Sequence, residues 1–176
     1  MLKKFISLIL ITILSLPVFS AEINRWVAQP IYVYIPNNYG KYSKLMQKAF
    51  LEWQNVSNEV VRFSFVNKPS NANIHVNFVD IITNCNSPTA VGCCRRYYNV
   101  RGHFNKSEID IAMKSHGKNN TYRPINNIYG VMLHEIGHSI GLDHSGEPNS
   151  IMYSYDLPTL QYLTKTDLEL LYKKYH

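Results

Sequence analysis

The sequence is poor in cysteine: it has three in 176 residues, and Cys85, Cys93 and Cys94 all lie within one short stretch. An odd number so closely placed permits one disulfide and leaves one thiol over. Neighbouring side chains of an extended strand point to opposite faces, so only one of Cys93 and Cys94 is expected to face Cys85. No apolar run after the first twenty residues is long enough to cross a bilayer. There is no basic cluster with interleaved aromatics, which argues against nucleic acid as a partner. No internal repeat, low-complexity tract or linker divides the chain, which predicts one domain.

Residues 1–20 read as a leader. Met1-Leu2-Lys3-Lys4 is a short basic start, Phe5 to Leu16 is an apolar run, and Pro17-Val18-Phe19-Ser20 precedes Ala21. This pattern predicts a signal peptide cleaved after Ser20, leaving residues 21–176 as a secreted domain, extracellular or periplasmic. The run is too short for a comfortable membrane span, and no cysteine follows it to carry a lipid, so no membrane anchor is expected. The leader holds two lysines and no acid, so the formal charge of +6 falls to +4 on its removal. A balance this mild names no partner.

The rest of the chain has readable periodicities. Pro30 to Pro36 is a β-branched and aromatic run bounded by prolines and predicts a strand. Tyr42, Leu45, Met46, Ala49, Phe50 and Trp53 recur at three- and four-residue spacing and predict an amphipathic helix over 41–56. Val60 to Val66 and Ala72 to Val79 alternate as strands, with His75 on the solvated face. Residues 80–102 are the least readable; Thr89 to Tyr97 is taken as a short edge strand, with a turn at Gly102. His103 to Met113 alternates through Ile109, Ile111 and Met113 as a further strand. A helix is expected from near Asn126 or Asn127, either of which can cap it. A last helix is expected from Thr164, where Thr164 and Asp167 have the spacing of a capping box.

The chemistry concentrates in His134-Glu135-Ile136-Gly137-His138-Ser139-Ile140-Gly141-Leu142-Asp143-His144. On a helix, His134 and His138 are about 400° apart, so both imidazoles leave one face a turn apart, as two ligands of one tetrahedral metal require. A continuing helix would carry His144 to the far side. Gly141 resolves this, because glycine enters the left-handed conformation freely and can turn the chain back. Three neutral imidazoles leave a fourth tetrahedral position open to water, as in catalytic zinc sites. Glu135 lies about 100° round the helix from His134, placed to act as general base without being a ligand. The spare thiol has two readings: an inert buried group beside a loop-stapling bridge, or a thiol that approaches the metal and regulates it.

The stretch His134 to His144 resembles the long zinc signature of the metzincin metalloproteases, and Ser145 directly after it resembles the matrixin branch. Ser150-Ile151-Met152-Tyr153 resembles that clan's Met-turn, in which Met152 forms an apolar floor beneath the metal histidines. The resemblance implies an α+β fold: a twisted mixed sheet with a first helix and an active-site helix, then a small C-terminal part with the Met-turn and last helix. The upper part would run to about residue 143 and the lower part from 144 to 176. It further implies one catalytic Zn²⁺ on His134, His138 and His144, with Glu135 as base and Gly141 and Met152 supporting the site. The expected substrate is a polypeptide bound in extended form along residues 89–97, cut by a monomer.

The departures from the family pattern set further expectations. No prodomain with a cysteine-switch segment is found, and the Asp/Gly/His-rich loops that hold a second zinc and calcium are missing. His75, His103 and His116 do not match their spacing, so neither ion is expected. Tyr153-Ser154-Tyr155-Asp156 lacks the proline usual in animal members, and Ser154 stands where astacin-like and serralysin-like enzymes place a tyrosine. The alternatives are a secreted zinc-binding adhesion or interaction module without proteolysis, against which an intact Glu135 argues, and a non-peptide amide hydrolase using the same water.

Overall fold

Alternating β-branched residues build the sheet. In the computed structural model, which describes residues 24–117, 121–154 and 162–176, Ile31–Tyr34 forms β1, Phe63–Val66 β2 and Ile74–Val79 β3. Gly92–Tyr98 forms β4 and Phe104–Ala112 forms β5. The order across the sheet is β2-β1-β3-β5-β4. Neighbours are parallel except β4, which runs antiparallel to β5 and forms one edge. The helices among the described residues are α1 (Lys41–Val56), α2 (Ile125–Ser139) and α3 (Lys165–Tyr175). The α+β class with a mixed sheet is therefore as expected. The leader at 1–20 lies outside the described residues, as do Tyr155 and Asp156.

One face of the sheet carries the core. Ile31, Val33, Ile74, Val76, Ile109 and Ile111 are fully buried, facing Met46, Phe50 and Trp53 of α1 and Met132, Leu133 and Ile136 of α2. Each such side chain contributes about 1.5–3 kcal/mol on burial. Trp53 also fixes the two helices to each other, donating from Nε1 to the Leu133 carbonyl at 3.0 Å. Trp26 does the same for the N-terminal segment, donating to the Ser139 carbonyl at 2.8 Å. On the opposite face, Ile82, Cys93 and Ala112 form a small second cluster beneath the 80–91 loop.

Three local expectations change. The edge strand begins at Gly92 rather than Thr89, because a turn closes first, with Ala90 N–H donating to the Ser87 carbonyl at 3.2 Å. Helix α2 starts at Ile125, and neither Asn126 nor Asn127 caps it. Pro124 stands at the N-cap instead, and its carbonyl accepts from Asn127 and Ile128. His75 is half-buried rather than solvated, with Nε2 3.3 Å from the Ala72 carbonyl. At the other end of the chain the capping box is present: Thr164 N–H donates to Asp167 at 2.8 Å.

Candidate metal centre

Helix α2 ends on a Schellman turn that brings the third histidine back. Ile140 is the C-cap, Gly141 has φ +107°, Gly141 N–H donates to the His138 carbonyl and Leu142 N–H to the Gly137 carbonyl, both at 3.0 Å. A side chain at Gly141 would be strained by that φ and would also meet the Asn24 carbonyl. The chain thus leaves the helix and returns His144 to the ligand face. The rings of His134, His138 and His144 lie 4.6, 4.8 and 5.3 Å apart, and one nitrogen of each lies within 4.8 Å of the others.

The donor set fits a metal through its tautomers as well as its spacing. His134 Nδ1 lies 2.6 Å from the Ile151 carbonyl and His138 Nδ1 2.8 Å from the Leu142 carbonyl. A carbonyl only accepts, so each Nδ1 carries the proton and each Nε2 presents a lone pair. Burial, helped by the charge of His134, pulls His138 down to about 3, so its ring is neutral across the physiological range. Three imidazoles at this separation suit zinc.

Below the histidines, Met152 is fully buried and the Met-turn is pinned to the ligand loop, with Ser145 N–H donating to the Met152 carbonyl at 2.8 Å. Gly137, inside the metal helix, leaves the room this needs: a Cβ there would overlap Met152 Sδ.

Glu135 is buried against β4. Burial raises its carboxyl to about 8 in the metal-free chain, and the Asp110 charge adds to this; a cation held by the histidines opposes both. A Cβ on Gly92 would overlap Glu135 Oε1 and Val131. Sequence reading missed Gly92. A glycine starting a strand signals close backbone approach, but the partner is invisible without the fold.

A cleft of about 440 Å³ joins these groups. Its walls include His134, Glu135, His138 and His144, residues 89–94 of the loop and edge strand, Gly130 and Val131 of α2, and Ile151, Tyr153 and Ser154 after the ligand loop. Cys85 and Cys93 form the disulfide, which leaves Cys94 free. Cys94 also lines the cleft, with Sγ 3.3 Å from Ser107 Oγ. Burial, with the Glu135 charge, pushes its thiol up to about 12, so it stays protonated; this is the inert reading of the spare cysteine.

Three histidines converging with one nitrogen of each within 4.8 Å of the others, beside the buried Glu135, form a candidate metal-binding centre. The chain belongs to the matrixin family, whose profile matches residues 31–175. It is 29% identical over 158 residues, 85% of this chain, to the macrophage metalloelastase of Rattus norvegicus, covering 30% of that protein. Over 56 residues, 30% of this chain and 10% of the relative, it is 39% identical to matrix metalloproteinase-B of Caenorhabditis elegans. A 33-residue match, 19% of this chain and 9% of the relative, is 58% identical to the probable matrix metalloproteinase 095L of Invertebrate iridescent virus 3. The chain therefore spans less than a third of these relatives' lengths. The family implies zinc, and the three histidines are the residues present to hold it.

Proposed function

We propose that the chain is a secreted zinc-dependent endopeptidase that hydrolyses peptide bonds of protein substrates, with His134, His138 and His144 as ligands and Glu135 as general base. The observation that carries this is the position of Glu135, buried between the ligand helix and the edge strand within the cleft that the three histidines line. When bound, zinc supplies Lewis acidity toward water and the scissile carbonyl. Glu135 takes a proton from the attacking water and returns it to the leaving amine. The free edge of β4 binds the substrate backbone in extended form and holds it against the cleft. Gly141 brings His144 to its place, and Met152 supports the histidines from below. One zinc serves the reaction, and the enzyme acts as a monomer on a polypeptide substrate. The upper part to about residue 143 and the lower part from 144 form the two sides of the cleft.

Secretion is supported by the leader-like residues 1–20 and by the Cys85–Cys93 disulfide, which persists in oxidising compartments. No helix among the described residues is long and apolar enough to cross a membrane.

The test is incubation of the zinc-loaded protein with casein or gelatin, with and without a chelator. Chelator-sensitive cleavage is expected. Stoichiometric zinc with no cleavage of any polypeptide would instead favour a binding module.

A further inference from the structure

The hairpin of β4 and β5 carries four cations, Arg95, Arg96, Arg101 and Lys106, against two acids, Glu108 and Asp110. The structure divides the cations between two faces. On the face away from the core, Arg95 holds Asp110 at 2.8 Å and Glu108 at 3.3 Å, and Lys106 holds Glu108 at 2.5 Å. Those four groups neutralise one another.

Arg96 points to the other face. Strand alternation places it with Gly92 and Cys94, the residues against Glu135 and in the cleft. Its guanidinium lies over the Phe104 ring at 5.9 Å and meets a single acid, Asp143, at 3.1 Å. The Asp143 side chain is 77% exposed, whereas that of Arg96 is 24% exposed. An ion pair open to water on one side is weak and exchanges readily for another carboxylate. Arg101, at the hairpin end, has no acidic partner among the described residues. Glu135 is the one acid among the described residues lining the cleft.

We propose that Arg96 selects polypeptide substrates bearing an acidic side chain about two to four residues from the scissile bond, on the flank running toward the β4–β5 turn; this rests on the endopeptidase reading above. The position follows from strand geometry. Glu135 packs against Gly92 and Cys94 lines the cleft. A segment paired along the free edge of β4 advances in step with it, about 3.3 Å per residue, so Arg96 is reached about two to four residues beyond the reacting centre. The other walls of the cleft lie the opposite way, at Asn86, Ser87, Thr89 to Val91 and Tyr153. An acidic side chain on the Arg96 flank displaces Asp143 from a guanidinium already fixed by Phe104, whereas a basic one meets unpaired positive charge.

The test uses the zinc-loaded protein and peptides that differ only in Glu, Ala or Lys at each position flanking the cut. The wild type should cleave the Glu peptide about tenfold faster in kcat/KM than the Lys peptide, as a partly shielded ion pair implies. Arg96→Glu should invert the order, Arg96→Lys should keep it, and Asp143→Asn should sharpen it by removing the internal competitor. The same order should hold for binding of labelled peptides to the Glu135→Gln variant. Equal treatment of all three peptides, or a preference unchanged in Arg96→Glu, would overturn the proposal. Ordered binding with no cleavage by wild type would sink the endopeptidase reading and leave the selection by Arg96 standing.

Discussion

The sulfur of Met152 occupies the place where a β-carbon on Gly137 would stand, at a separation below the 3.0 Å that real Cβ atoms keep. The same carbon would meet Trp53 Cζ2 at 3.2 Å. The metal helix is therefore notched at the residue before its second histidine so that the Met-turn can rise beneath it. Gly137→Ala should cost about 1–3 kcal/mol by overpacking, although alanine is the better helix former. Urea denaturation measures this. In the Gly137→Ala/Met152→Ala pair the loss should be smaller than the sum by about 1 kcal/mol, and strict additivity would refute the contact as the cause.

On the proposed mechanism, Glu135 separates metal binding from turnover. It is not among the residues that converge as ligands, so Glu135→Gln should keep one zinc per chain. Hydrolysis of a protein substrate should fall by about 10²–10⁴-fold, the range for loss of a positioned general base. Metal content by mass spectrometry and cleavage of casein check the two halves. A variant that keeps most of its activity would remove Glu135 from the reaction.

The convergence of His134, His138 and His144 was legible because it obeys local rules: two histidines one helical turn apart, then a glycine where the helix must stop. Helix α1 was equally plain, since its buried residues Met46, Ala49, Phe50 and Trp53 recur at helical spacing. Contacts set by tertiary pairing were not legible. Thr164 and Asp167 announce a capping box, but nothing in the sequence says that the same carboxylate also binds Ser150 and Ile151. The choice between Cys93 and Cys94 depends on which face of β4 meets the 80–91 loop, and that is fixed by register with β5. The asparagine caps failed because α2 begins before them, at Ile125 with Pro124 as N-cap, which puts both asparagines inside the first turn.

The Cys85–Cys93 bridge closes the loop that walls one side of the cleft. With a separation of 8 residues, loop closure alone stabilises the fold by about 2.5 kcal/mol. Cys85→Ser/Cys93→Ser should lose about that much in denaturant unfolding. KM for a peptide substrate should rise while zinc content holds, because the histidines are carried on α2 and the loop after it. Unchanged KM would show that this loop does not shape the substrate site.

Glu108 makes the hairpin sensitive to acid. Its hydrogen bond from Lys106, then those from Tyr97 and Arg95, hold its carboxyl below the ordinary value of 4.5. A carboxylate depressed in the folded state contributes its full stability above the unfolded value and loses it as pH falls through the folded one. The group is partly exposed, so the contribution is no more than about 1 kcal/mol. Glu108→Gln should therefore flatten the stability profile below about pH 4.5 and lower the plateau above it. Thermal unfolding at pH 3.5 and pH 7 compares the two. An equal drop for wild type and variant between those pH values would assign the acid sensitivity to other carboxylates.

Asp167 governs the metal centre from a distance. Its fully buried carboxylate accepts from Thr164 N–H at 2.8 Å and Thr164 Oγ1 at 2.7 Å within the capping box, and from Ser150 Oγ and Ile151 N–H at 3.2 Å across the gap to the Met-turn. The carbonyl of the same residue, Ile151, lies 2.6 Å from His134 Nδ1 and accepts from it. The start of α3 thus sets the position of the Ile151 backbone, and that backbone orients a ligand ring. Asp167→Ala leaves four donors without their acceptor and should cost about 3 kcal/mol or more. It should also weaken zinc binding about tenfold or more, the usual effect of losing support behind a ligating histidine. Competition with a chromophoric chelator measures the affinity, and thermal unfolding measures the stability. A variant with lowered stability but unaltered zinc affinity would break the link between Asp167 and His134, because the carbonyl would then hold its place without the carboxylate behind it.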